Sequence, residues 1–233
     1  MDRRKLLIAG IAEGLGTEIA ATFSRAGYDV IGLARTNRAL EPVRTLVEQG
    51  GGNYIHLVCD LARPEEVSAA LRTHEVSIDA LIHNAQLLMI KPFSEISAED
   101  FEQVWRACCL GAMISAQSVI PHMAARKTGS VIFTGATAGL RGGANFSAFA
   151  SAKFALRGLA QALAREFGPR GVHVAHVVID GLIDAPQTNE RFGRTQGGRM
   201  DPKSIAKIYL ELVSQDPSAW TQEMDLRPFA EKF

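Results

Sequence analysis

A glycine-rich turn follows the first apolar run of the chain, Leu6 to Ala9. The turn reads GIAEGLG over residues 10–16 and opens into a helix-like pattern at Thr17. Glycine lets such a turn fold tightly, and the free N–H groups at the N-terminus of a helix attract phosphate. We therefore predict a pyrophosphate-binding turn, made of Gly10, Glu13, Gly14, Leu15 and Gly16.

The cysteine and histidine patterns do not predict a metal site. The three cysteines, including the adjacent pair Cys108 and Cys109, have neither zinc-site spacing nor an even number for disulfides, which favours a reducing cytoplasm. His173 and His176 are three apart on an apolar run, so they face opposite sides of a strand. His83 ends another apolar run, and we expect it to be a hydrogen-bonded structural residue rather than a base.

Short apolar runs alternate with segments of helical periodicity along the whole chain. The predicted strands are Lys5–Ala9, Tyr28–Leu33, Tyr54–Val58, Ala80–His83, Ser130–Thr134 and Val172–Ile179. The predicted helices are Ala12–Ala26, Asn37–Gln49, Pro64–Arg72, Ala98–Ala125, Phe149–Phe167 and Pro202–Val213. Parallel strands need long crossover connections, so this alternation predicts one α/β domain over residues 1–233, a doubly wound parallel sheet flanked by helices.

Composition narrows the classes of partner. The 233 residues are 47% apolar, and the 25 basic residues balance the 25 acidic ones. A formal charge of zero argues against nucleic acid and anionic membrane as partners. The sequence has no run of about 18 apolar residues that would suggest a membrane span. We expect a small-molecule substrate or none.

The turn spacing and several later motifs resemble the short-chain dehydrogenase/reductase (SDR) superfamily. The turn matches that family's TGxxxGxG motif, with Ala9 in place of the threonine, rather than the Rossmann GxGxxG. Residues 59–61 (CDL), 83–86 (HNAQ) and 179–183 (IDGLI) resemble the family's adenine-contacting segment, its NNAG element and its PGxV segment beside the nicotinamide. The resemblance implies a Rossmann-type fold and a nicotinamide coenzyme.

The resemblance also assigns coenzyme contacts to individual residues. Besides the glycine turn they are Asp60, Leu61, Asn84, Ala85, Lys153, Gly181 and Ile183. Where the family's NAD enzymes typically have an acidic residue, after the second strand, this chain has Arg35 and then Thr36, and arginine can pair with the 2′-phosphate of NADP. Glu13 argues for NAD, because NADP-preferring relatives often have a neutral or basic residue there. We expect NADP(H) to be favoured over NAD(H).

The polar catalytic residues of the family are absent from the matching positions. Aligned on Lys153, the Tyr position is Phe149, the Ser position is Ala136 and the Asn position is Cys108. The first two replacements preserve shape and delete one hydroxyl each, and loss of a general acid typically costs about 10²–10⁴ in rate. The pattern resembles an atypical SDR subgroup that carries Phe in place of the catalytic Tyr.

Two functions are compatible with this site. The first is an NADP(H)-dependent oxidoreductase whose proton comes from water, from the substrate or from Lys153, with Thr137, Ser147 and Cys108 as weaker candidates. The second is a catalytically silent NADP(H)-binding sensor or scaffold. A purely structural subunit with a dead nucleotide site is disfavoured, because the glycines and Lys153 are retained.

Two further features concern the surface of the protein. Residues 180–199 are rich in Gly, Asn, Gln and Arg, and we expect an irregular flap over the site or, equally, a plain surface loop. The helix Phe149–Phe167 and the middle of Ala98–Ala125 are apolar nearly all round. Such helices are buried on most sides, which predicts a homodimer or homotetramer.

Overall fold

A seven-stranded parallel sheet forms the centre of the molecule, in a computed structural model that describes residues 3–193 and 198–230. The strand order is β3-β2-β1-β4-β5-β6-β9. These strands are β1 (Arg4–Ala9), β2 (Tyr28–Ala34), β3 (Tyr54–Val58), β4 (Ala80–His83), β5 (Ser130–Thr134), β6 (His173–Ile179) and β9 (Glu223–Leu226). The order reverses between β1 and β4, which confirms the predicted doubly wound α/β fold.

Helices cover both faces of this sheet. They are α1 (Leu15–Arg25), α2 (Leu40–Gln49), α3 (Pro64–Leu71), α4 (Ala98–Trp105), α5 (Gly111–Arg126), α6 (Ser147–Phe167), α7 (Pro186–Phe192) and α8 (Pro202–Val213). Because strand side chains alternate, Leu6 and Ile8 of β1 enter the core beneath α1, α2 and α8, whereas Leu7 and Ala9 enter the core beneath α3, α5 and α6. Burial on both faces explains why the strands read as unbroken apolar runs.

The six predicted strands agree with the structure to within one residue, but the seventh was missed. Strand β9 (Glu223–Leu226) pairs with the end of β6, from His176 to Ile179. It is only four residues long and two of them are acidic, so it lacks the apolar run that marks the other strands.

Two predicted helices differ from the structure at functional positions. The first begins at Leu15 rather than Ala12, because Gly14 has a φ of +94° that a helix cannot contain. The predicted helix Ala98–Ala125 is interrupted by a π-helical turn at Arg106–Leu110, which separates α4 from α5. A π-turn adds one residue to a helical turn and is frequent at functional sites.

The predicted irregular flap at residues 180–199 is partly wrong. Leu182–Ile183 forms a short strand, β7, that pairs with β8 (Arg199–Met200), and α7 lies between them. Pro186 starts α7 because proline is preorganised for the first turn of a helix. Residues 194–197 of this segment, like residues 1–2 and 231–233 of the predicted domain, lie outside the described residues.

The continuous helical run Ala98–Arg126 is long and apolar enough to cross a membrane by length and composition. Its most apolar window is 56% buried inside the protein. The inward-facing residues of α5, among them Val119 and Met123, pack in the core beneath the sheet. The run is therefore a core helix of an α/β domain.

Candidate functional site

The glycine turn after β1 is held in an open shape by close backbone contacts. A Cβ on Gly10 would lie 2.5 Å from the Cα of Ala85, and a Cβ on Gly14 would lie 2.7 Å from the Cβ of Ala185. Asn84 fixes the turn from the neighbouring strand: its side-chain amide donates to the Gly10 carbonyl at 3.3 Å. The turn leads directly into α1, whose N-terminus is the positive end of the helix dipole.

A large cleft lies at the carboxyl ends of the parallel strands, where ligands bind in open α/β sheets. It has a volume of about 1340 Å³. Most predicted coenzyme residues line it, namely Gly10, Glu13, Leu15, Gly16, Arg35, Thr36, Asp60, Leu61, Asn84, Ala85, Gly181 and Ile183. Two do not: Gly14 faces Ala185, and Lys153 is completely buried behind the wall.

The cleft wall after β2 carries two exposed arginines. Arg35 and Arg38 both line the cleft, and neither forms an ion pair with any residue that the structure describes. The Thr36 hydroxyl accepts a hydrogen bond from the Arg38 backbone at 3.4 Å. Sequence reasoning named Arg35 and overlooked Arg38, which follows in the same short segment.

Ala136 lies in the cleft wall just after β5, and Phe149 lies in the same wall at the start of α6. Both line the cleft, and Phe149 is only 4% exposed. Lys153 is one turn further along α6, where its ammonium donates to the Thr134 carbonyl at 2.9 Å and lies 5.6 Å from the centre of the Phe149 ring. A hydroxyl is therefore missing where the ammonium and the cleft come together.

No tyrosine in the described chain compensates for this loss. Tyr209 is fully buried on α8, where its hydroxyl lies 3.0 Å from the Thr134 side-chain oxygen. Burial raises the pKa of the Tyr209 phenol. Tyr28 and Tyr54 belong to strands on the opposite half of the sheet.

His83 contradicts the prediction of a hydrogen-bonded structural histidine. It is fully buried, and neither ring nitrogen makes a hydrogen bond of ordinary geometry among residues 3–193 and 198–230. Burial lowers its pKa to about 3, with a smaller contribution from the Lys153 ammonium, while the Cys108 backbone opposes the shift. The imidazole is therefore neutral at physiological pH.

The Asn position is occupied by a buried thiol inside the π-turn. The Cys108 sulfur accepts a hydrogen bond from the Leu87 backbone N–H at 3.4 Å. Burial lowers the pKa of the Lys153 ammonium, and the nearby Cys108 thiol opposes this shift. Cys108, His83 and Lys153 thus form a buried layer behind the cleft rather than part of its lining.

One polar pair in the cleft wall was not predicted. The Thr137 hydroxyl donates to the Asp180 carboxylate at 2.5 Å, and both residues line the cleft. Asp180 directly follows β6, at the second position of the IDGLI segment. The two residues are 43 positions apart, so no local pattern could have indicated the contact.

Comparison with known proteins decides the family. The family described as short chain dehydrogenase matches residues 4–195. The chain belongs to the short chain dehydrogenase family. This is an oxidoreductase family that binds NAD or NADP. The resemblance to an atypical subgroup with Phe at the Tyr position stays a prediction.

Three similar proteins illustrate the breadth of this family. The chain is 28% identical to the uncharacterized oxidoreductase YciK of Escherichia coli over 223 residues, which cover 93% of this chain and 88% of YciK. A short-chain dehydrogenase structure from Rhodopseudomonas palustris is 34% identical, with a TM-score of 0.84 and coverage of 97% and 99% of the two chains. A metagenomic short-chain oxidoreductase in complex with NADP has a TM-score of 0.84 at 22% identity and 98% coverage of each chain, which shows a shared fold.

Proposed function

We propose that this short chain dehydrogenase is a cytoplasmic, NADP(H)-dependent oxidoreductase of small molecules that works without the Ser and Tyr of its family. The observation that carries the proposal is the cleft itself. It runs from the glycine turn past Arg35 and Arg38, which form no ion pair within the described part of the chain, to the Phe149 ring, and so combines a phosphate site with an apolar reaction site.

The choice of NADP(H) rests on Arg35 and Arg38. A guanidinium pairs with phosphate through two parallel hydrogen bonds, and an arginine without a carboxylate partner keeps those donors free for a ligand. Glu13 also lines the cleft and opposes a further negative charge. Arg35 and Arg38 lie in one short segment of the cleft wall, and two neighbouring cations favour the coenzyme with the additional phosphate.

The residues present fit a nicotinamide dinucleotide. Gly10 and Gly14 let the turn pack closely against Ala85 and Ala185, where a side chain would collide. Asp60 lines the end proposed for the adenine, and Gly181 and Ile183 line the opposite end. When bound, the coenzyme supplies or accepts a hydride. Lys153 donates to the Thr134 carbonyl and so stiffens the wall, but it is fully buried and does not present a proton to the cleft.

A catalytically silent sensor or scaffold is the second candidate function. The observation that favours it is the loss of both hydroxyls, at Phe149 and at Ala136, in a wall that otherwise retains its shape. A protein that reports coenzyme levels needs the cleft but no proton donor. The two functions differ in whether bound coenzyme turns over.

Calorimetric titration with NADPH, NADP, NADH and NAD, followed by an aldehyde, ketone and alcohol panel on the same sample, tests the proposal. Arg35→Ala should weaken NADPH binding about tenfold, corresponding to about 1.4 kcal/mol, with a smaller loss for NADH. Gly14→Val should abolish binding of both coenzymes, because the side chain collides with Ala185 and the φ of +94° disfavours a branched residue. Equal losses for NADPH and NADH in Arg35→Ala would contradict NADP(H) preference. Tight NADPH binding with no turnover of any panel compound would favour the sensor.

We also propose a homodimer or homotetramer that associates through α4 and α6. Aromatic side chains remain exposed on these helices, with Phe101 and Trp105 each 37% exposed and Phe154 45% exposed. The two helices pack side by side, so these rings lie on neighbouring elements. Exposed aromatic clusters of this kind mark protein interfaces.

A further inference from the structure

Asp180 is a buried carboxylate in the wall of the proposed coenzyme cleft. Its residue is 3% exposed, and its backbone N–H donates to the Leu226 carbonyl at 2.8 Å. Two guanidiniums flank the side chain: an Arg227 nitrogen lies 3.5 Å from Oδ2, and an Arg141 nitrogen lies 3.9 Å from Oδ1. Burial of a carboxylate is costly unless charges and hydrogen bonds compensate it, and here the two guanidiniums supply compensating charge at the cleft.

The Thr137 hydroxyl connects this carboxylate to the ligand space. It donates to Asp180 Oδ1 at 2.5 Å, and its oxygen also lies 3.4 Å from the Ile179 carbonyl. A hydroxyl that commits its hydrogen to a carboxylate retains oxygen lone pairs that accept a hydrogen bond from a third group. Thr137 follows Ala136 directly, so this acceptor lies beside the position of the missing serine hydroxyl.

We propose that Thr137 and Asp180 are the proton-accepting pair of the site, and that the reaction they serve is oxidation of a secondary alcohol. This inference rests on the proposed oxidoreductase function and assigns its direction and substrate class. Thr137 is the catalytic residue that touches the substrate oxygen. Asp180 is the positioning residue that orients the hydroxyl and receives its proton.

The step is balanced in atoms and electrons. The alcohol O–H bond breaks and its proton passes to Thr137 Oγ1, while the hydroxyl proton of Thr137 passes to Asp180 Oδ1. The carbinol C–H bond breaks, and its electron pair leaves as hydride to the oxidised nicotinamide coenzyme, so the alcohol becomes a carbonyl. Asp180 then releases its proton to water, which restores the carboxylate.

The surroundings of the pair define the substrate class. A carboxylate that acts as a proton acceptor assists alcohol oxidation, because the substrate oxygen loses its proton in that reaction. The apolar part of the cleft lining includes Leu88, Ile90, Phe146, Phe149, Leu182 and Phe192, and Arg141 and Gln187 also line the cleft. A secondary alcohol with an apolar frame satisfies both the acceptor and this lining.

The competing role for Asp180 is purely structural. Its ion pair with Arg227 and its backbone bond to Leu226 connect the end of β9 to the loop after β6. A clasp of this kind would affect stability without affecting proton transfer. Variants that keep the fold but remove the acceptor therefore separate the two roles.

The test uses the full chain loaded with NADP, with cyclohexanol and 1-phenylethanol as substrate probes. Thr137→Val should lower kcat by about 10²-fold or more, with coenzyme Kd and alcohol KM unchanged within about threefold. Thr137→Ser should restore most of the activity, because it retains the hydroxyl. Asp180→Asn should lower kcat in the same way. Thr128→Val removes an exposed hydroxyl outside the cleft lining and serves as the control.

A second readout does not depend on turnover. The half-buried Thr137 hydroxyl proton, held by the Asp180 carboxylate, should give a slowly exchanging, downfield proton resonance, which Thr137→Val and Asp180→Asn abolish and Thr128→Val retains. Its absence in the wild-type protein would refute the pair. So would alcohol oxidation that survives Thr137→Val, even though the oxidoreductase proposal would then stand. Wild-type protein that binds NADP but oxidises neither probe would instead refute the oxidoreductase proposal and the pair together.

Discussion

Restoring the two missing hydroxyls should convert this protein into a carbonyl reductase. The change is Phe149→Tyr combined with Ala136→Ser, and both positions line the cleft, so the added oxygens can extend into ligand space. The Lys153 ammonium lies 5.6 Å from the ring centre. At an effective dielectric constant of about 20, a cation about 6 Å from a phenolate oxygen contributes about 3 kcal/mol, equivalent to lowering the phenol pKa by about two units.

This electrostatic effect brings the new phenol towards the range in which it donates a proton efficiently. A positioned general acid typically contributes about 10²–10⁴ in rate, so the double variant should reduce ketones and aldehydes at least about 10²-fold faster than the wild-type protein. The assay follows NADPH consumption with a panel of simple carbonyl compounds. Phe146→Tyr is the matched control, because it adds a phenol to the same cleft at a position that is further from Lys153 in the sequence than Phe149 is.

Two results would refute this reasoning. Rapid wild-type reduction that Lys153→Ala abolishes while NADPH still binds would mean that the buried ammonium reaches the substrate after all. No gain in the double variant, with bound NADPH verified by calorimetry, would mean that the space above the nicotinamide does not admit a carbonyl in reach of the new hydroxyls.

Three further predictions concern the coenzyme, the assembly and the sheet edge. Arg38→Ala should weaken NADPH binding about tenfold in calorimetry, and an unchanged affinity would leave Arg35 as the sole phosphate ligand. Phe154→Arg should reduce the molar mass measured by light scattering to that of the 25.2 kDa monomer. The control Val76→Arg, at an exposed site on another element, should leave the molar mass of the assembly unchanged. The same molar mass for both variants would exclude the α4–α6 interface. Arg157 bonds the Glu223 carboxylate at 2.6 and 2.7 Å and, as the main cause, lowers its pKa. Glu223→Gln should therefore lower the free energy of unfolding by about 1.5–3 kcal/mol near neutral pH. Urea unfolding at neutral and at acidic pH measures this deficit, which should shrink as the pH falls because the wild-type carboxyl then also takes up a proton. A deficit of the same size at both pH values would contradict an ionic origin.

The elements of the fold that could be predicted from the sequence are those whose own residues show a local pattern. A strand such as Ala80–His83 can be recognised from its apolar run, because both of its faces are buried. The glycine turn is equally local, because its backbone geometry restricts residue type at positions 10, 14 and 16. Strand β9 has neither property: its four residues belong to the sheet only because β6 lies beside them.

The site was predictable only where its residues share a segment. Phe149, Ala136 and Lys153 were placed by resemblance, and the first two do line the cleft, whereas the third is buried behind it. His83 was misread because its surroundings come from elsewhere in the chain, with the Lys153 charge on α6 and the Cys108 backbone in the π-turn. Nothing near position 83 in the sequence indicates that its ring nitrogens make no hydrogen bond of ordinary geometry with the residues that the structure describes.

Two departures from the family pattern point in the same chemical direction. The replacements at Phe149 and Ala136 remove proton donors from the wall, while Asp180, together with Thr137, adds a proton acceptor. An acid is needed to complete carbonyl reduction, and a base is needed to begin alcohol oxidation. If the two changes are coupled, Phe149→Tyr with Ala136→Ser should raise reduction while leaving the Thr137-dependent oxidation in place. A further Asp180→Asn change in that variant should then abolish only the part of the oxidation rate that depends on Thr137.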